Sequence, residues 1–121
     1  MKKILIIDDD PTIRTYLTNL FKDNGYAPTV AENAELAWDI LSADSFDLIT
    51  LDLDMPGEWG TRFFSKLAQD KDKKNIPVIV ISGMSDNEYA IPKAVASLTK
   101  PFDQKKLLKI VHDILYESHV I

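Results

Sequence analysis

The chain has 121 residues, 45% of them hydrophobic and 27% charged, with four Gly and six Pro. This length suits one domain with its own core, and the balance excludes a disordered, collagenous or repeat-rich protein. The absence of Cys excludes disulfides, thiolate metal sites and cysteine nucleophiles, and 19 acids against 14 bases (net charge −5) give the wrong sign for a nucleic-acid surface. No apolar run approaches the roughly 18–20 residues of a membrane span. The start, Met1-Lys2-Lys3 followed by residues 4–7, is basic and then apolar, but that run ends in three aspartates and is too short for a signal peptide. These features predict a soluble, cytoplasmic single domain over residues 1–121.

Apolar runs alternate with helical patterns along the chain. Residues 4–7 form a continuous apolar run, as expected for a parallel strand buried on both faces. Asp10-Pro11 supplies an N-cap and a proline at the first helical position. Ile13, Tyr16, Leu17, Leu20 and Phe21 then repeat at helical spacing as an inward face, until Asn24-Gly25 stops the helix. A weaker strand follows over 27–31, marked as an edge by Pro28. Asn33 caps a helix to Ala43, with Ala37, Ile40 and Leu41 inward.

Residues 46–51 read as the third strand, followed by the Met55-Pro56-Gly57 loop and a helix over 59–70 in which Phe63 or Phe64 packs inward. Residues 76–81 form a β-branched strand. Residues 85–93 give a short, poor helix broken near Pro92, and 95–98 a short strand. A last helix starts near Asp103, with Leu107, Leu108, Val111, Ile114 and Leu115 inward. Five such units without a composition break predict a doubly wound α/β fold around a parallel sheet, with a shortened fourth helix.

In such folds ligands bind beyond the carboxyl ends of the strands. There the sequence places Asp8, Asp9 and Asp10, then Asp52 and Asp54, then Ser82-Gly83, and finally Thr99-Lys100-Pro101. Clustered carboxylates repel one another unless a cation sits among them. Mg²⁺ (or Mn²⁺) accepts such oxygens together with waters and phosphate oxygens. One lysine and one hydroxyl added to this set can stabilise a phosphoryl group, and an aspartate can be its nucleophile. Asp10 suits a helix cap rather than a ligand. Met84 and Trp59 suit the pocket rim. His112 and His119 read as solvated, as does the Lys105, Lys106, Lys109 stripe.

The runs Ile4-Leu5-Ile6-Ile7-Asp8-Asp9-Asp10, Asp47-Leu48-Ile49-Thr50-Leu51-Asp52-Leu53-Asp54-Met55-Pro56-Gly57 and Thr99-Lys100-Pro101-Phe102 resemble the receiver domain of bacterial response regulators, over essentially the whole chain. The resemblance implies a flavodoxin-like sheet of order 2-1-3-4-5 with helices on both faces. It also implies that Asp52 is the phosphoacceptor, charged by a sensor histidine kinase or a phosphotransfer protein. Asp8 and Asp9 would form the acidic pocket. Asp9 and Asp52 would bind Mg²⁺ directly, with the Asp54 backbone carbonyl as a further ligand. Ser82 and Lys100 would take the family's hydroxyl and lysine positions, and the Lys100–Pro101 bond would be cis. Such a chain passes its state to a downstream effector protein or domain, and is a phosphoacceptor with at most slow self-dephosphorylation rather than an enzyme. Neither membrane nor direct nucleic-acid binding is expected, and homodimerisation stays open.

Two features depart from that family. Ser97 stands where an aromatic residue usually switches, three positions before the lysine, and is too small for that packing role. Only 17 residues separate Ser82 from Lys100, short for a full helix with its loops. The expected output is therefore non-standard, through ordering of residues 83–94. Two other functions compete. Asp52-Leu53-Asp54 resembles the nucleophile motif of haloacid-dehalogenase-type phosphatases, although Pro56 stands where that motif has Thr or Val. A degenerate receiver that only binds partners would fit the two departures.

Overall fold

A computed structural model describes residues 1–52, 59–82, 96–99 and 102–116, of which 59–61, 82 and 96–99 are described by backbone alone. The strands are β1 (Lys3–Ile7), β2 (Ala27–Ala31), β3 (Leu48–Asp52), β4 (Val78–Ser82) and β5 (Ala96–Thr99). The helices are α1 (Pro11–Asp23), α2 (Ala34–Ala43), α3 (Trp59–Ala68) and α4 (Gln104–Tyr116). All strand pairs are parallel, in the order β2-β1-β3-β4-β5. The edge position expected for residues 27–31 from Pro28 is therefore found.

Each inner strand feeds two cores because successive side chains point to opposite faces. Leu5, Ile7, Ile49, Leu51, Val78 and Val80 meet α2 and α3 through Ala37, Leu41, Phe63 and Leu67. Ile4, Ile6, Leu48, Ile79 and Ile81 meet α1 and α4 through Leu17, Phe21, Leu107 and Val111. Burial on both faces is what the uninterrupted apolar runs demand.

The helix starts follow local chemistry. Thr12 N donates to the Asp10 carboxylate at 2.9 Å ahead of Pro11, and Leu36 N donates to Asn33 Oδ1 at 2.7 Å. Each bond satisfies one of the orphan amides of a first turn. Lys105 N donates to Asp103 in the same way at 2.9 Å. Gly25, at φ 87°, turns the chain out of α1 into β2, a conformation that costs glycine little.

Some expectations shift. β3 starts at Leu48 rather than residue 46, and β4 at Val78 rather than 76, since Pro77 has no amide for the ladder. β5 begins and ends one residue later than expected, and α3 ends at Ala68, with 69–75 folded into turns. Tyr16, expected inward, is 40% exposed. Its hydroxyl donates to Gln104 Oε1 at 2.9 Å and its ring lies 6.1 Å from that of Phe102, so it bridges α1 to the start of α4. The loop at 55–57, the helix at 85–93, the switching segment 83–94 and the Lys100–Pro101 bond lie outside the described residues.

Truncating a fully buried ring in the α1 layer, Phe21→Ala, is expected to cost about 3–5 kcal/mol, whereas losing the α2 cap in Asn33→Ala costs about 1 kcal/mol. Urea unfolding followed by circular dichroism measures both. Similar losses for the two variants would contradict this division between core and cap.

Candidate functional site

The register of two buried strands assembles the site. β1 and β3 pair Ile7 with Leu51, so the next residue along each chain, Asp8 and Asp52, reaches the same end of the sheet. Both carboxylates are 2% exposed, while Asp9 beside them is exposed. One ligand oxygen from each of Asp8, Asp9 and Asp52 lies within 4.8 Å of the other two. Among the described residues no other such group of acidic or histidine side chains is found.

The loop that carries Asp8 and Asp9 is tied at several points. Asp8 N donates to Ala31 O at 3.2 Å, joining the loop to the end of β2. Asp10 N donates to Asp8 Oδ1, and Arg14 Nη1 to the Asp8 carbonyl, each at 2.9 Å. Asp10 is the cap of α1, as expected, and α1 begins immediately after the acidic loop. The positive end of a helix there favours negative charge.

The three carboxylates fit a hard divalent cation. Ligands of one Mg²⁺ at about 2.1 Å stand roughly 3–4 Å apart, and the oxygens of this trio lie within 4.8 Å of one another. Oxygen donors without nitrogen or sulfur suit Mg²⁺ and Mn²⁺. Waters and a phosphoryl oxygen would fill the other positions.

Of the other expected site residues, Ser82 ends β4, its backbone one step beyond the Asp52–Ile81 pair and opposite Thr99 of β5. Lys100 follows Thr99 directly but, like Asp54 and Met84, lies outside the described residues. His112 is exposed on α4 with its ring 5.0 Å from Tyr116, and among the described residues it belongs to no metal-binding group. His119 is outside the described residues. Lys105, Lys106 and Lys109 are exposed as expected, with Lys109 paired to Asp113 at 3.0 Å.

Burial pushes the Tyr26 hydroxyl up, and a hydrogen bond from Lys3 holds the Asp44 carboxyl below the usual range. A cavity of about 600 Å³ opens at the far end of β4, lined by Phe64, Pro77 and Ile114, and holds no acidic group. Sequence reasoning missed Arg14, whose contact with Asp8 spans six positions through a loop-to-helix turn that no motif marks. It also missed Trp38, which is covered by Lys66 (4.4 Å) and Lys73 (5.4 Å) and packs edge-on against Phe63.

The chain is similar to known proteins over most of its length. The family model for the response regulator receiver domain matches residues 4–112. Protein Rrf1 of Nitratidesulfovibrio vulgaris is 35% identical over 109 residues, 90% of this chain and 79% of that protein. The phosphate regulon transcriptional regulatory protein PhoB of Escherichia coli is 28% identical over 94% of this chain, which spans only 52% of PhoB. The response regulator TrrA of Thermotoga maritima, crystallised in complex with Mg(2+)-BeF, superposes with a TM-score of 0.85 at 31% identity, covering 95% of this chain and 100% of that one.

Mg²⁺ is expected to raise the midpoint of thermal unfolding, because an ion held only by the folded trio stabilises it by about 2.7 kcal/mol at 100 times Kd. Asp9→Ala, on the exposed member, should remove most of this shift and leave the metal-free midpoint nearly unchanged. A midpoint insensitive to millimolar Mg²⁺ in the unsubstituted protein would contradict the site.

Proposed function

This chain belongs to the response regulator receiver family, and from that premise we propose that residues 1–121 are one receiver that accepts a phosphoryl group on Asp52. Receivers of this family are phosphorylated on aspartate, bind Mg²⁺ at an acidic pocket and act in two-component signalling. The observation that carries the assignment is the convergence of Asp52 with Asp8 and Asp9 within 4.8 Å at one end of the sheet.

The chemistry follows from what each residue can supply. A carboxylate oxygen of Asp52 attacks phosphorus while the bond to the donor breaks. That bond is P–N in a phosphohistidine, whose electron pair returns to the imidazole, or P–O in acetyl phosphate, where acetate leaves. Asp52 ends as an acyl phosphate, and no proton has to leave the attacking group. Asp8, Asp9 and Asp52, with the Asp54 carbonyl, would hold Mg²⁺, whose bound charge offsets that of the phosphoryl oxygens. The Ser82 hydroxyl donates a hydrogen bond to the phosphoryl group, and the Lys100 ammonium balances its charge. Asp8, nearly buried, would supply the third carboxylate of that pocket. TrrA, crystallised in complex with Mg(2+)-BeF, supports the Mg²⁺-dependent reading.

The donor is a sensor histidine kinase or a phosphotransfer protein, the recipient of the signal is an effector protein or domain, and the setting is the cytoplasm. The chain acts as a phosphoacceptor with slow self-dephosphorylation and not as a phosphatase with external substrates. Its output departs from the usual hydroxyl–aromatic switch, since the position that pairs with Val80 in β5 is Ser97. A homodimer could carry that output.

Intact-mass measurement after incubation with acetyl phosphate and Mg²⁺ tests the assignment. One phosphoryl adduct is expected on the unsubstituted chain, and none on Asp52→Asn or in excess EDTA. Lys100→Ala should form the adduct at least roughly tenfold more slowly. An adduct that persists in Asp52→Asn, or steady release of phosphate from small esters, would overturn it.

A further inference from the structure

Asp9 is the exposed member of the acidic trio, and among the described residues its carboxylate accepts no hydrogen bond. Its position therefore depends on the backbone from which it projects. That backbone begins with the peptide joining Asp8 to Asp9, whose carbonyl oxygen is Asp8 O. The half-buried Arg14 donates Nη1 to this oxygen at 2.9 Å from the first turn of α1. Arg14 N also donates to Asp10 O at 3.0 Å, so one residue grips the loop on both sides of Asp9.

We propose that Arg14 is a positioning residue for metal binding: its guanidinium fixes the Asp8–Asp9 peptide plane and thereby aims the Asp9 carboxylate at the site shared with Asp8 and Asp52. Asp8 does not need this help, because its amide is tied to Ala31 O and its Oδ1 to Asp10 N. Among the described residues nothing comparable holds Asp9. A charge-assisted hydrogen bond to a carbonyl is directional and short, which suits the task of stopping a peptide plane from rotating. Once that plane is free, the ion has to order the loop as it binds, and affinity falls. Arg14 also carries its charge close to the trio without bonding any of the three carboxylates among the contacts described, so it offsets repulsion without competing for a ligand oxygen.

This inference rests on the trio being a divalent-cation site, and its test separates the two. Calorimetric titration with Mg²⁺ and with Mn²⁺ gives Kd for the unsubstituted protein, Arg14→Met and Arg14→Lys. Methionine keeps the length and packing of the stem without a donor, while lysine keeps one donor. Arg14→Met is expected to weaken binding about 5–10-fold, and Arg14→Lys by no more than about twofold. Acetyl phosphate labelling of Arg14→Met should slow at low Mg²⁺ and recover at saturating Mg²⁺. A merely structural arginine would lower the metal-free unfolding midpoint while leaving Kd unchanged, and that result overturns the proposal. Absence of Mg²⁺ and Mn²⁺ binding by the unsubstituted protein instead overturns the site itself. Should Arg14→Met not fold, Arg14→Gln decides: its shorter amide cannot reach Asp8 O, so an unchanged Kd counts against the proposal and a weakened one supports it.

Discussion

Two carboxylates, Asp8 and Asp52, sit almost fully buried at the ends of adjacent strands whose preceding residues are apolar, with Asp9 beside them. Buried negative charges at this spacing cost free energy unless positive charge or hydrogen-bond donors answer them. The surrounding structure provides such answers: an amide on Asp8 Oδ1, the start of α1, and a guanidinium on the Asp8 carbonyl. A divalent cation and a phosphoryl group fit as the remaining parts of the same arrangement. The site is thus a set of converging carboxylates held in place by strands locked in register.

The sheet can hold those carboxylates because its inner strands are locked from both sides. One-residue slippage of β1 against β3 would part Asp8 from Asp52 and turn every apolar side chain to the wrong core. Register and site geometry are therefore the same constraint. The contribution of Arg14 differs in kind, since it acts on the loop beyond the last ladder pair, where the sheet no longer dictates direction. Strand pairing places the buried carboxylates, and a single side chain from the next helix aims the exposed one.

Much of this was legible in the residues. The run Ile4-Leu5-Ile6-Ile7 announces a strand buried on both faces, Asp10-Pro11 announces the helix after it, and Pro28 announces an edge. Acids after two strands, in a fold that binds ligands at strand ends, are enough to bring Asp8, Asp9 and Asp52 together in thought. Tyr16 was misplaced because helical spacing reports a face and not whether a hydroxyl at its margin finds a partner such as Gln104. Strand starts moved because an apolar residue such as Phe46 can be buried before the ladder begins. Arg14 could not be read at all, since its partner is a backbone carbonyl and no residue type marks one. The phosphatase alternative loses ground to the receiver match over residues 4–112.

Chemical localisation of the acyl phosphate tests the central claim most directly. Borohydride reduces an aspartyl phosphate to homoserine, which peptide mass spectrometry assigns to one position. After reaction with acetyl phosphate and Mg²⁺, homoserine is predicted at position 52 alone. Homoserine at position 8, 9 or 54, or none anywhere in a chain that binds Mg²⁺, would contradict the account.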